Sequence, residues 1–218
     1  MVAIENTVNK GGGCCWDLRE IERIRGVCLE HDIAMHLDGA RLFNALVARD
    51  ESPRDYGRLF DTISVCLSKG LGAPVGSMIV GSKDFIARAR VYRKMFGGGM
   101  RQVGVIAAAG LIALEKSPSR LHEDHENAQR LAQGIARIPG LKIDPAAVRS
   151  NIVIFDCSAS GLNAVEICDA LYAKGVWAQD TAPYSVRMVT HWNVDRAGID
   201  RALAELAFVT DKKATRTA

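Results

Sequence analysis

The chain has 218 residues, 48% of them hydrophobic, and 28 Lys and Arg against 25 Asp and Glu give a net charge of +3. That length and apolar content suffice for one packed domain of ordinary size, or for a larger and a smaller one. The near-neutral balance, with no polybasic run, argues against a nucleic-acid surface, and the longest apolar run, Val103 to Leu114, is too short to cross a bilayer.

Six cysteines are scattered, apart from the adjacent Cys14-Cys15, and no C-x-x-C pair occurs, so free thiols are expected rather than disulfides or a metal site. The first ten residues hold no apolar signal core. Together these features describe a soluble cytoplasmic protein with no metal, no nucleic-acid partner and no membrane partner. The basic end, Lys212-Lys213-Ala214-Thr215-Arg216, reads as solvated.

In chain order, Val2 to Glu5 reads as a short strand running into a turn at Gly11-Gly12-Gly13. Asp17 with Glu20 three residues on predicts a capping box, and Leu18, Ile21, Ile24 and Leu29 give the helix an apolar stripe. Ile33, Met35 and Leu37 then alternate with Ala34, His36 and Asp38, a period-two strand that ends at Asp38. His36 shares a face with Asp38 and is read as a packed core histidine. A second alternating strand, Ile63 to Leu67, is followed at once by Ser68-Lys69, with Gly70, Gly72 and Gly76 allowing close backbone approach.

Ser77 to Val80 reads as a strand and Lys83 to Phe96 as a helix with a solvated basic face. Val103 to Lys116, rich in Ala and Leu, is expected to be a buried helix. Pro118-Ser119 opens an amphipathic helix to about Ile138, with His122 and His125 on a solvated face among acidic neighbours. Pro139-Gly140 ends it. A smaller α/β region follows: strand Asn151 to Asp156, a helix opened by Gly161-Leu162-Asn163 and running to Lys174, strands Val176 to Gln179 and Ser185 to Thr190, and a last helix Ala197 to Phe208.

The expected fold class is therefore α/β, with a larger domain over 1–117, a linking helix over 118–140 and a small domain over 141–218. Ligands of open α/β sheets bind beyond the carboxyl ends of strands. Asp38 and Lys69 occupy two such ends. A lysine amine there can condense with the aldehyde of pyridoxal phosphate, and a carboxylate can keep the pyridine nitrogen protonated, which makes the ring an electron sink. Taken singly, an Asp at a strand end also caps helices, and a loop Lys is commonly solvated.

The stretch HLDGARLFNA at residues 36–45, with SKGLGAPVGS at 68–77, resembles the threonine aldolases of the β-eliminating lyase group, fold-type-I pyridoxal-phosphate enzymes. The likeness continues through Gly97-Gly98-Gly99-Met100-Arg101-Gln102 and Arg187-Met188-Val189-Thr190-His191, and spans Glu5 to about Phe208. It implies a partial large α/β domain followed by a small C-terminal one. The implied reaction is cleavage of threonine or allo-threonine to glycine and acetaldehyde. A different β-eliminating lyase, an amino acid racemase, or a non-catalytic fragment are the alternatives.

By resemblance, Lys69 is the catalytic lysine and Asp38 the ring partner. Arg41 helps hold the substrate carboxylate and the ring hydroxyl, and Ser68 stands near the phosphate. Read by themselves, Arg41 is a surface helix arginine and Ser68 a turn cap. Arg187 matches the arginine that holds the amino acid carboxylate. It alternates with Val186 and Met188, and its guanidinium suits bidentate recognition. Lys94, Arg101 and Asn6 are implied near the site, Asn6 being equally good turn chemistry. A small amino acid substrate and a homo-oligomer, dimer or tetramer, are implied as partners.

The resemblance also has a gap. No match appears to about the first third of the family's chain, which carries the phosphate-cradling turn, a stacking histidine and several large-domain strands. The chain is therefore expected to show unpaired sheet edges and apolar helix faces open to water, and to associate with itself or with a complementary piece.

Overall fold

A computed structural model describes residues 1–214, and side chains up to residue 211. The side chains of the basic end at 212–216 lie outside the described residues. The chain divides into two units, the first comprising Met1–Val8 and Cys15–Leu121, the second Asn9–Cys14 and His122–Ala218.

The first unit is built on a four-stranded sheet. β1 (Val2–Glu5), β2 (Met35–Gly39) and β3 (Thr62–Cys66) run parallel, and β4 (Ser77–Gly81) lies antiparallel beside β3. Parallel neighbours require crossovers, supplied by α1 (Leu18–Glu30) between β1 and β2, and by α2 (Leu42–Arg49) with α3 (Pro53–Leu59) between β2 and β3. Strand alternation sends Ile4, Met35, Leu37, Ile63 and Val65 to one face, where all are buried with Ile21, Leu42, Leu46 and Tyr56 from the helices. Full burial of a large apolar side chain contributes about 1.5–3 kcal/mol. The other face carries Glu5, His36, Asp38, Thr62, Ser64 and Cys66, none of them buried.

Two polar devices fasten this unit. Arg25 grips Asp61 through both guanidinium nitrogens, at 2.8 and 3.1 Å, while Asp61 also accepts the Met35 backbone N–H at 2.7 Å. The Arg25 bond, then the Met35 bond, hold the Asp61 carboxyl below its usual range. Tyr56, fully buried, donates its hydroxyl proton to Glu51 at 2.7 Å and accepts from the Asn6 side chain at 3.0 Å. Burial, followed by the Glu51 bond, raises the phenol's pKa far above its usual value, so Tyr56 stays a donor.

Several sequence expectations change. Asp17 caps α1 by accepting the Arg19 N–H, but the capping box does not close, because Glu20 pairs with Arg23 instead of reaching back. Leu29 is 65% exposed and Cys28 takes the buried position. α4 (Lys83–Met95), capped by Ser82, buries no residue at all. α5 (Gly104–Lys116), expected to be buried, hides only Gly110 and Ala113. It is apolar around most of its circumference, yet the unit offers packing to one narrow stripe.

The second unit has a three-stranded antiparallel sheet in the order β5 (Ile152–Asp156), β7 (Ser185–Val189), β6 (Gln179–Ala182). α6 (Leu121–Ile135), α7 (Ala164–Tyr172) and α8 (Arg196–Ala214) complete it. α6 places Ala128, Leu131, Ala132 and Ile135 in a core with Phe155, Ile167, Leu171 and Leu206, and ends at Ile135, short of the expected Ile138. α7 opens with a complete capping box between Asn163 and Glu166. It closes with the Val176 N–H bonded to Leu171 O at 3.0 Å and Gly175 at φ 73°, a Schellman-type stop. That stop takes up Val176, so the strand expected at Val176 to Gln179 begins only at Gln179. α8 extends beyond the expected Phe208. The glycine turn belongs to this unit as well. Gly13 has φ +77° and accepts the Ser150 hydroxyl at 2.8 Å, and a Cβ there would lie 2.3 Å from Ser150 Oγ.

Of the two histidines expected on a solvated face, His122 is exposed but His125 is half-buried. Desolvation, reinforced by the charge of His122, lowers the pKa of His125 to about 4. The lowered value means that the folded chain resists a proton that the unfolded chain accepts near pH 6.5. This contribution is complete above about pH 6.5 and is lost as the pH falls towards 4. Urea unfolding of the wild type should therefore show midpoints falling through that window, with a shallower fall in His125→Gln. Equal slopes would show that His125 does not titrate this way.

Candidate active site

The site is built on the register of β2 and β3. Asp38 pairs with Ser64 and Gly39 with Val65, so Asp38 and the turn after β3 emerge at the same carboxyl edge of adjacent parallel strands. The pairing is close: a Cβ on Gly39 would lie 2.5 Å from the Ser64 carbonyl oxygen and 3.1 Å from Leu42 Cβ. The Asp38 carboxylate is exposed, and its Oδ1 accepts the Ala40 N–H at 3.0 Å. That bond orients the carboxylate and leaves Oδ2 available.

Lys69 stands on a turn that is fixed from several sides. The Leu67 N–H donates to Gly76 O at 3.0 Å, Ala73 to Leu67 O at 2.9 Å and Gly72 to Lys69 O at 3.0 Å. The buried Ser117 hydroxyl donates to Leu71 O at 2.7 Å. Gly70 sits so near Asn44 that a Cβ would meet its Oδ1 at 2.8 Å. Gly72 and Gly76 adopt φ +75° and +120°, conformations that side-chain-bearing residues rarely adopt. The Lys69 side chain is exposed. Beside it, burial pushes the Cys66 thiol up, but bonds from Ser68 and Ser77 and the Lys69 charge outweigh that and bring its pKa below the usual range. Ser68 Oγ lies 3.5 Å from Cys66 Sγ.

Arg41, half-buried, is the N-cap position of α2 and leaves its side chain out of the cap. Asn6 also lies at this edge: its backbone N–H donates to Asp38 O at 3.0 Å, while its fully buried side chain turns inward to Tyr56. The structure thus gathers Asn6, Asp38, Arg41, Ser68 and Lys69 at one sheet edge. Lys94, in the last turn of α4, and Arg101, beyond it, are exposed and stand on a separate part of the unit past β4. No local pattern signals the Glu51–Tyr56–Asn6 connection, because Asn6 lies 50 positions from Tyr56.

Arg187 belongs to the second unit. On β7 its neighbours Val186 and Met188 are buried while Arg187 faces the other way. Its Nη1 donates to Gln179 Oε1 at 3.1 Å, and its buried Nε has no hydrogen-bond partner. Desolvation pulls its pKa down. It lines a cavity of about 540 Å³ with Asn9, Lys10, Ile154, Gln179 and Ser185. A buried guanidinium N–H without an acceptor is the expected state of a site for an anionic group.

The donor set of the first unit fits pyridoxal phosphate at two points. An oriented carboxylate with a free oxygen suits a protonated ring nitrogen, and an exposed lysine on a rigid turn suits an aldehyde. Among the described residues no group of three or more His, Cys, Asp or Glu is arranged to hold a metal, and no helix is long and apolar enough to cross a membrane.

Comparison with known proteins agrees with this architecture. A solved structure of a threonine aldolase from Leishmania major superposes with a TM-score of 0.73 at 21% identity, covering 96% of this chain and 60% of that one. A histidinol-phosphate aminotransferase from Clostridium acetobutylicum gives 0.73 at 15% identity, covering 97% and 64%. The fold is that of the fold-type-I pyridoxal-phosphate enzymes. The sequence profile of the family described as Beta-eliminating lyase matches residues 1–158, and the chain belongs to that family.

Among its relatives are low-specificity L-threonine aldolase 1 of Arabidopsis thaliana, 36% identical over all of this chain and 62% of its own length, and the low specificity L-threonine aldolase of Escherichia coli K12, 41% identical over 82% of this chain and 50% of its own. A second Arabidopsis relative is 40% identical over 94% of this chain and 58% of its own length. The chain therefore spans between half and two thirds of the length of these proteins.

The close approach at Gly39 is directly testable. Gly39→Ala should cost about 1–3 kcal/mol of unfolding free energy, the usual penalty for overpacking. Gly26→Ala in α1, where nothing lies within 4 Å of a new Cβ, should be neutral or gain up to about 1 kcal/mol of helix propensity. Equal stability of the two variants in chemical denaturation would show that β2 and β3 can separate without cost.

Proposed function

We propose that this chain carries the lysine and ring-binding half of a pyridoxal-phosphate-dependent threonine aldolase, which cleaves threonine or allo-threonine to glycine and acetaldehyde. The observation that carries the reading is the pairing of the half-free Asp38 carboxylate with Lys69 at the ends of adjacent parallel strands, in a chain whose relatives are named low-specificity threonine aldolases. In this reading the first unit is part of the cofactor domain and the second is the small domain.

Each residue then has a task. The Asp38 carboxylate would keep the ring nitrogen protonated when the cofactor is bound, while the Ala40 N–H holds one of its oxygens still. The exposed Lys69 amine, on its rigid turn, would hold the cofactor through its aldehyde. The bound cofactor supplies a sink for the electron pair left on Cα when the Cα–Cβ bond breaks. The substrate hydroxyl loses its proton as acetaldehyde departs, and Cα gains one to give glycine. Arg41 is assigned to the substrate carboxylate, a grip that would fix the bond to be broken, and Arg187 of the second unit is assigned, by itself, as a carboxylate-binding arginine. Ser68 is assigned to the phosphate, and Lys94 and Arg101 remain candidates for the site's periphery.

Covalent mapping tests the lysine without requiring turnover. The chain is incubated with millimolar pyridoxal phosphate, reduced with borohydride and digested. Millimolar cofactor is used so that weak affinity cannot hide the adduct. The pyridoxyl group should appear on Lys69 and should be absent from that peptide in Lys69→Ala. Preferential labelling of Lys83 or Lys94 would overturn the assignment.

The carboxylate role of Arg187 makes a separate claim. Arg187→Ala should weaken amino acid binding by ~2–5 kcal/mol, the range for removing one member of a buried charge pair, with the unfolding midpoint of the second unit little changed. Calorimetric titration with glycine in the presence of cofactor reads this out, and unchanged affinity would remove Arg187 from the site.

A further inference from the structure

Two buried polar atoms without a hydrogen-bond partner belong to residues lining one cavity of the second unit. One is the Arg187 Nε–H, a donor; the other is Asn9 Oδ1, an acceptor. Among the described residues, no other buried side-chain atom without a partner belongs to that lining. The two are complementary, and a buried donor or acceptor left alone is costly. Asn9 opens the turn that runs through Gly11-Gly12-Gly13. Its carbonyl accepts the Gly12 N–H at 3.3 Å. Gly12 and Gly13 have φ +70° and +77°, and Gly13 O accepts the buried Ser150 hydroxyl at 2.8 Å. A Cβ on Gly13 would also lie 3.1 Å from Ile152 Cβ. The turn is thereby held against β5, whose Ile154 lines the same cavity, and Asn9 has a fixed place in the cavity wall.

We propose that Asn9 is a positioning residue for Arg187, its Oδ1 accepting the Nε–H once a carboxylate seats on the guanidinium. A guanidinium carries five N–H donors in a fixed fork. Gln179 Oε1 takes one Nη1 hydrogen at 3.1 Å. With Nε turned to Asn9, the second Nη1 hydrogen and the Nη2 pair remain. The Nη1–Nη2 edge then takes both oxygens of a carboxylate, and the ligand approaches from that edge alone. Without the Asn9 acceptor the guanidinium is free to turn its Nε–Nη2 edge to the ligand instead, and the direction is lost. The lining holds the cations Lys10 and Arg187 against the single acid Asp180, a balance that suits a monocarboxylate. This role rests on Arg187 taking a carboxylate, as proposed above, and not on the aldolase reaction.

The test follows the Arg187 Nε–H itself, by magnetic resonance of the full chain labelled with heavy nitrogen, with acetate as the probe. The signal is identified by its loss in Arg187→Lys. In the wild type, acetate should shift it and slow its exchange with water by at least about tenfold, the scale of one hydrogen bond to a charged group. The Asn9 side-chain amide signals should shift with the same dissociation constant. Asn9→Leu should abolish the slowing and weaken acetate binding by about tenfold or more. Asn9→Asp, which keeps the acceptor and adds charge, should slow the proton even before acetate is added. A residue that only stabilised the turn would move the unfolding midpoint and none of these signals. Slowing that persists in Asn9→Leu, or equal acetate affinity in that variant, overturns the positioning role and leaves Arg187 a carboxylate site. No response of the Arg187 signal in the wild type overturns both. Should Asn9→Leu not fold, the wild type decides: Asn9 amide signals that acetate leaves unshifted overturn the role, and shifted ones uphold it. Failure of the lysine mapping would leave each of these results untouched.

Discussion

The parallel pairing of β2 with β3 is the constraint from which the first unit's site follows. Its register sets Asp38 beside Ser64, and the hydrogen-bonded span from Ser64 to the end of β3 fixes how far beyond it Lys69 stands. The pairing can be this close only because Gly39 has no side chain where the Ser64 carbonyl approaches. Shifting the register by one residue would exchange the two faces. It would bury Asp38 among Leu37's partners and expose the core. The hydrophobic alternation that stabilises the sheet is thus the same feature that aims the carboxylate outward.

The lysine turn is rigid for a different reason. It is a loop of mostly small residues, and such loops are normally mobile. Here backbone bonds from Leu67 and Ala73 close its neck, Ser117 ties its far side and Asn44 crowds its glycine. Fixing the backbone costs conformational entropy, and these contacts, within the loop and to α2 and the end of α5, offset that cost before any ligand arrives. Asn6 plays a comparable part just past β1, bonded to Asp38 through its backbone and to Tyr56 through its side chain.

The two units are incomplete in different chemical senses. In the second, the unsatisfied feature is polar: a buried guanidinium N–H on Arg187, desolvated and without an acceptor. Such a group calls for an anion, because a buried donor left alone costs about 1–3 kcal/mol. In the first, the unsatisfied feature is apolar and extended, on β4, α4 and α5. No small ligand covers such a surface, but another folded polypeptide can.

The sequence alone determined which residues share a face. Alternation placed Asp38 and Lys69 at strand ends and turned Arg187 away from Val186 and Met188, because the period of two is a local property of an extended backbone. It could not determine what would cover each face. The apolar run of α5 reads as a buried helix, yet Leu111 and Ile112 are 59% and 55% exposed, since burial depends on the neighbour and not on the helix. Glu20 had the right spacing for a capping box, and a competing Arg23 took it. His125 sits among acids in sequence but is half-buried in the fold, and Tyr56 meets Asn6 although the two lie 50 positions apart. Each of these outcomes was decided by a non-local contact, which short-range pattern does not encode and tertiary structure alone supplies.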